Sequence, residues 1–421
     1  MYFYLILICT LLLLSYLLET SAAILNLRAL QPQPPEEFAA DYSQEEYSRM
    51  LSYTRERTRF SLVHDSLLLV LTLAFLLAGG FNAVDLLARS AGFGPIITGL
   101  LFTGALVLLT AVVHLPFKIY STFVLEARFG FNTTTVSTFV LDTIKGALLA
   151  IVLGAPILAA ILWFFEKSGP LGWLYAWLAV GAFMLIVQLV APVLILPLFN
   201  RFTPLPDDDL RASITGYAQR LDFALEGIYT MDGSKRSTRA NAFFTGFGRF
   251  RRIVFFDTLL NQLSHGEILA VLAHEMGHYK LKHVPLMLML GIAQTGLMFF
   301  ILSLFLGNES LFAAFQMEHI SVYAALIFFG FLYSPIATLL ETGMNALSRR
   351  HEYQADRFAV TSGAAAADLI SGLKNLTVKN LGNLTPHPLT VMLHYSHPPM
   401  LARIRALRRL AAQQPQQQAP S

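Results

Sequence analysis

Polar and apolar positions alternate along this chain in long blocks. Runs of about 20 apolar residues, the length that crosses a hydrocarbon core as a helix, lie near 2–24, 66–87, 94–117, 147–165, 172–199, 284–306 and 322–343. The pattern predicts a mainly α, polytopic membrane protein with seven transmembrane helices. The first run ends in the small residues Ser21, Ala22 and Ala23, as a cleaved signal would. No positive charge precedes it and its apolar stretch is long for a signal, so it reads as a retained anchor.

The polar blocks between the runs predict further elements. Residues 25–65 are acidic and aromatic before an arginine cluster, the signature of an amphipathic segment on the membrane surface. Residues 201–283 are enough for a small α/β domain. In it, Asp207, Asp208 and Asp209 can cap a helix through about Leu221. Two β-like runs, 241–247 and 253–256, joined by 248–252, read as a hairpin. Ser264 followed by Glu267 is a capping box that starts another helix. The chain therefore divides into an N-terminal membrane region (1–200), the polar subdomain (201–283), a hairpin of spans six and seven (284–343) and a C-terminal segment (344–410). A Gln- and Pro-rich tail (411–421) is predicted to be disordered.

Composition supports the membrane reading independently. Of 421 residues, 55% are hydrophobic and 14% charged, where soluble domains carry about 25% charged residues. The single cysteine, Cys9, lies inside an apolar run, so neither a disulfide framework nor a thiolate metal site is expected. The net charge of +3 conceals an alternation. Loops one, three and five and the C-terminal tail hold 5, 3, 11 and 9 Lys and Arg residues, whereas the N-terminal edge and loops two, four and six hold 0, 1, 1 and 0. Positive charge stays inside, which places the N-terminus outside and the odd loops and tail in the cytoplasm. The bilayer is thus a partner, and no nucleic-acid partner is expected.

The helix after Ser264 contains Ala273-His274-Glu275-Met276-Gly277-His278, with the spacing H-E-x-x-H. Residues four apart stack on one helix face, so the two imidazoles can hold one metal ion. Glu275 is then placed to exchange protons during hydrolysis of a peptide bond. Two surface histidines on an ordinary helix would look the same until a third ligand is found. Spans six and seven are joined by a short outer loop and should form an antiparallel hairpin whose inner ends meet. That brings Glu352 near the histidines as third ligand. Asp356, one turn further, can accept a hydrogen bond from a ligand histidine. His351 and Glu341 are rival third ligands, and Asp142 and Glu341 are charges near the span ends with either a functional or an interfacial role.

The motif HEMGH, a pair of spans, then SRRHEYQAD, together with FVLEARFGFN (123–132), PLFNRFTPLP (197–206), NAFFTGFG and RRIVFFDTLL (241–260) and YSHPP (395–399), resembles the type-1 CAAX prenyl proteases, integral-membrane zinc metalloproteases. The resemblance implies seven helices enclosing a water-filled chamber, with a cytoplasmic-side active site. It implies one Zn2+ held by His274, His278 and Glu352, with Glu275 as the acid and base and Asp356 behind the ligands. It further implies that His397 steadies the oxyanion, Arg403 partners Asp356 and Asn241 holds substrate backbone. The expected substrate is a peptide or lipidated protein with a C-terminal prenylcysteine, cut three residues from its end. Alternatives are a broad-specificity quality-control protease of membrane proteins and a non-catalytic seven-helix transporter or receptor. An intramembrane protease is disfavoured because charged residues crowd the motif. The compact loop six and the Gln-Pro tail lean the expected location to a bacterial inner membrane rather than the endoplasmic reticulum.

Overall fold

The structure, a computed structural model, describes residues 2–245 and 251–417. Among these, seven helices are long and apolar enough to cross a membrane: Tyr2–Arg28, Gln44–Leu77, Pro95–Glu126, Val136–Lys167, Gly169–Phe199, His283–Ser303 and Val322–Thr361. Large apolar residues on them face outward, such as Leu108, Ile151 and Leu339. In a soluble protein that exposure would be costly, whereas in a bilayer it is the solvent-matched surface.

The second span departs most from expectation. Residues 44–65 do not form a separate surface segment but are the first half of the spanning helix, which starts at the Ser43–Glu46 capping box and ends at Leu77 rather than at 87. No Gly or Pro interrupts 44–77, so nothing stops the helix until Gly79, whose φ of 70° ends it. The polar half is amphipathic for a different reason than membrane contact. Its buried Tyr47, Met50, Leu51 and Tyr53 pack with Phe129, Phe131, Leu384 and Ile404.

The third and fifth spans each include a π-helical turn, Ser121–Glu126 and Ala191–Ile195. The latter contains Pro192, whose missing N–H favours a break in the regular ladder. The seventh span is a single helix of 40 residues, twice what a bilayer needs. Its second half therefore projects as a rigid arm into the polar subdomain.

That subdomain contains a four-stranded sheet in the order β1-β2-β4-β3, with β1 Phe202–Pro204, β2 Gly227–Met231, β3 Ala242–Thr245 and β4 Arg252–Phe256. The expected hairpin is the antiparallel β3–β4 pair; the part of it at 246–250 lies outside the described residues. The pairs β1–β2 (antiparallel) and β2–β4 (parallel) were not anticipated. β1 is only three residues ending in a proline at the sheet edge, and β2 shows too short an alternation to stand out. The helix Asp208–Arg220, capped by Asp207, was. Leu210, Ile214, Tyr217, Ile253, Phe255, Ile268, Leu272 and Met276 form one core that fixes the H-E-x-x-H helix against the sheet.

Ion pairs lock this unit to the membrane helices. Arg236 donates to both oxygens of Asp142 at 2.7 and 3.0 Å, and Arg239 reaches Glu126 at 2.9 Å. Asp142 is thus a structural anchor. The C-terminal helix runs Met400–Gln417, so residues 411–417 of the tail expected to be disordered are helical, and 418–421 lie outside the described residues.

Candidate active site

Two helices build the site. The first, His265–Lys280, begins at Ser264, whose hydroxyl accepts from the Glu267 N–H while the Glu267 carboxylate accepts from the Ser264 N–H. Glu267 is itself buried and accepts from Ser371 at 2.6 Å and Asn375 at 2.7 Å. This fixes the helix start two turns before His274. The second is the arm of the seventh span. They cross at Gly277, where an added Cβ would lie 3.0 Å from the Cα of Ala355 and 3.2 Å from its carbonyl oxygen. The glycine inside the motif is therefore what permits the approach. Gly277→Val should cost about 1–3 kcal/mol by overpacking, read as a lower unfolding midpoint of the detergent-solubilised, metal-free protein.

At this crossing His274, His278 and Glu352 converge, with ligand atoms all within 4.8 Å of one another. His274 Nε2 and His278 Nε2 are 3.2 Å apart. Glu352 Oε2 lies 3.4 Å from the first and Glu352 Oε1 3.2 Å from the second. Glu352 is 3% exposed, yet its Oε2 accepts no hydrogen bond. Beside that oxygen stand the Arg403 guanidinium at 3.2 Å and the His274 ring at 3.4 Å, and the carboxylate keeps lone pairs free for a further cation.

Behind the cluster, Asp356 Oδ1 is 2.8 Å from His274 Nδ1. Arg403 donates to both oxygens of Asp356 at 2.9 and 2.6 Å, and its Nη1 is 3.2 Å from Glu352 Oε2. Asp356 and Arg403 are 1% and 4% exposed. Burial alone would lower the His274 pKa, but the hydrogen bonds its ring donates to Asp356 and Glu352 outweigh it and raise it to about 9. The surrounding carboxylates thus favour a positive charge on the His274 ring. Glu275 is half-buried on the same helix and forms no hydrogen bond or ion pair among the described residues.

His397 arrives from the turn before the C-terminal helix, and its Nε2 is 3.3 Å from Glu352 Oε1. Its side chain is 63% exposed, yet the protein around it desolvates the ring enough to lower its pKa, which keeps it neutral at neutral pH. Two residues to which the sequence reading gave no role hold this turn. Arg349 donates to the carbonyls of Val391 and Tyr395 at 3.0 and 2.6 Å, and Asn345 donates to that of Leu393 at 2.8 Å. Both precede Glu352 on the same helix at spacings of three and seven residues. That periodicity is the one signal by which they could have been found.

The remaining candidates lie elsewhere. His351 stacks on His283 with ring centroids 4.0 Å apart, and Glu341 lies near the His394–Glu19 pair. Neither belongs to the cluster. Asn241 is exposed at the start of β3, and its side-chain oxygen accepts from the N–H of Ala242 at 2.9 Å. It sits on the edge strand beside β4 and has no contact to the cluster among the described residues.

Comparison with known proteins agrees with this geometry. Residues 23–201 match the family described as CAAX prenyl protease N-terminal, five membrane helices, and residues 204–411 match Peptidase family M48. The chain is 37% identical over 401 residues to CAAX prenyl protease 1 homolog of Arabidopsis thaliana, covering 93% of this chain and 94% of the relative. The chain belongs to the CAAX prenyl protease family. It is also 36% identical to CAAX prenyl protease 1 of Saccharomyces cerevisiae, covering 86% of each chain. The crystal structure of Ste24p from S. mikatae superposes with a TM-score of 0.92 at 32% identity, covering 96% of this chain and 99% of that one. The protein is therefore a multi-pass membrane metalloendopeptidase of family M48, and a metal belongs to its chemistry.

Proposed function

We propose that the metal is zinc and that His274, His278 and Glu352 hold it, for cleavage of peptides ending in a prenylated CAAX-type sequence. The observation that carries this reading is the convergence of two ring nitrogens and the Glu352 carboxylate at separations of 3.2–3.4 Å. A tetrahedral ion with bonds of about 2.0–2.2 Å has ligand atoms about 3.4 Å apart, and a nitrogen and oxygen donor set suits zinc.

Bound zinc would lower the pKa of a water molecule and polarise the scissile carbonyl. The chain's own residues supply the rest. Glu275, unengaged and adjacent, takes a proton from the attacking water and delivers it to the leaving nitrogen. His397, neutral, donates toward the developing oxyanion. Asp356 holds the Nδ1–H of His274 so that Nε2 presents its lone pair, and Arg403 balances the two buried carboxylates. Asn241, at the head of edge strand β3, is placed to hold an extended peptide that adds to the sheet.

The substrate reading rests on relatives named for CAAX prenyl proteolysis and on a site attached to a seven-span scaffold, where a lipidated chain is at home. The asymmetry of Lys and Arg supports a cytoplasmic active site and an external N-terminus. The short segment 304–321 between spans six and seven and the Gln-Pro tail favour a bacterial inner membrane over the endoplasmic reticulum; fractionation of the source cell tests that choice. The chemical test uses one peptide sequence, farnesylated and unfarnesylated, with and without a zinc chelator. One zinc per chain, chelator-sensitive activity restored by zinc, and preference for the farnesylated peptide are expected. Equal cleavage of both peptides would instead support a general membrane quality-control protease.

A further inference from the structure

The two metal-facing histidines are supported differently. Behind His274 stands the carboxylate of Asp356. Behind His278 stands another imidazole. His278 Nδ1 lies 3.1 Å from Nδ1 of His283, and His283 Nε2 lies 3.0 Å from Oε1 of Gln354. His283 is 4% exposed and stacks face to face on His351, with ring centroids 4.0 Å apart and planes within 4°.

The proton positions follow from the end of this chain. The Gln354 amide oxygen can only accept, so His283 must donate from Nε2. A neutral imidazole has one N–H, so Nδ1 of His283 is left as an acceptor. The proton between the two Nδ1 atoms then belongs to His278, whose Nε2 is left with a free lone pair directed at His274 and Glu352. That is the tautomer a metal ligand requires.

We propose that His283 is the positioning residue of the second metal-binding histidine, held in its accepting tautomer by Gln354 and in its ring plane by His351. The inference rests on the reading of His278 as a zinc ligand. His283 closes the span from the motif helix to the sixth span, whereas Gln354 lies two residues beyond Glu352 on the arm of the seventh. The arm that carries Glu352 therefore also carries Gln354, whereas His283 is the first residue of the neighbouring sixth span. A neutral supporting group on one side and a carboxylate on the other also limits the negative charge packed around a buried site.

The test measures zinc affinity of the full-length protein in detergent, by competition with a chromogenic chelator, alongside unfolding of the metal-free form. His283→Phe keeps a ring to stack on His351 but removes the acceptor, and should weaken zinc binding about 10- to 100-fold. His283→Asn places an oxygen near the former Nδ1 and should bind within a few-fold of wild type. Should the His283 variants fail to fold, Gln354→Met and Gln354→Glu make the same comparison one bond further out. There the Met variant should weaken binding and the Glu variant, still an acceptor, should not. Wild-type affinity in His283→Phe or Gln354→Met, or equal loss in the members of either pair, overturns the proposal. Absence of zinc from the wild-type protein would overturn the metal reading itself, so the two failures are distinguishable.

Discussion

Glu275→Gln is expected to bind one zinc per chain and to cleave about 10²- to 10⁴-fold more slowly than wild type. The substitution leaves His274, His278 and Glu352 untouched, so the ion has no reason to leave. It also breaks no hydrogen bond or ion pair among the described residues, and Glu275 is only half-buried. What it removes is the ability to accept a proton and pass it on. Metal content by elemental analysis and turnover of a fluorogenic CAAX peptide, measured on the same preparation, check both halves. A variant that loses zinc along with activity would show that Glu275 is a ligand rather than the acid and base.

The second large effect is expected at Glu352→Ala. If four ligands share the roughly 10–16 kcal/mol of a structural zinc site, each accounts for about 3 kcal/mol or more. Loss of one should then weaken affinity by about 100-fold or more. The substitution also removes one of the two carboxylates that face the buried Arg403, leaving Asp356 alone to balance it. Fold stability should fall modestly, since the bidentate Arg403–Asp356 pair survives. Glu341→Ala serves as the comparison, because Glu341 was open as a third ligand from sequence and does not lie in the cluster. Retained zinc in Glu352→Ala with loss in Glu341→Ala would move the third ligand.

These predictions draw on two kinds of information. The periodicity of H-E-x-x-H is local: four residues make one helical turn in any context, so the shared direction of His274 and His278 was legible from their spacing. The capping box at Ser264 and the β3–β4 hairpin were legible for the same reason, since capping and strand alternation act over a few residues. Seven spans were countable because burial in hydrocarbon demands a fixed length of apolar residues. The second span's boundaries were missed because its first half meets protein, not lipid, and its buried tyrosines have no apolar run to announce them.

The meeting of Glu352 with the histidines stands between these cases. Short-loop topology suggested that the inner ends of spans six and seven approach each other. It is the unbroken 40-residue helix, however, that carries Glu352 past the bilayer at the right height, and Gly277 that allows it within reach. The role of His283 was invisible in sequence. It follows His278 by five residues, a spacing that places it on no shared helical face, and only the turn at Lys282, with φ of 58°, brings the ring back onto His278.

The sequence by itself therefore determined the membrane scaffold, the pair of facing imidazoles and the identity of the neighbouring carboxylate, because each depends on spacing or on bulk apolarity. The tertiary structure alone decided which rings and carboxylates touch. It directed Asp142 to an anchoring role, set His351 beside His283 instead of in the His274–His278–Glu352 cluster, and tied the His397 turn to Arg349. Such choices depend on which elements pack against each other, as at the crossing that Gly277 permits, and no local spacing encodes that.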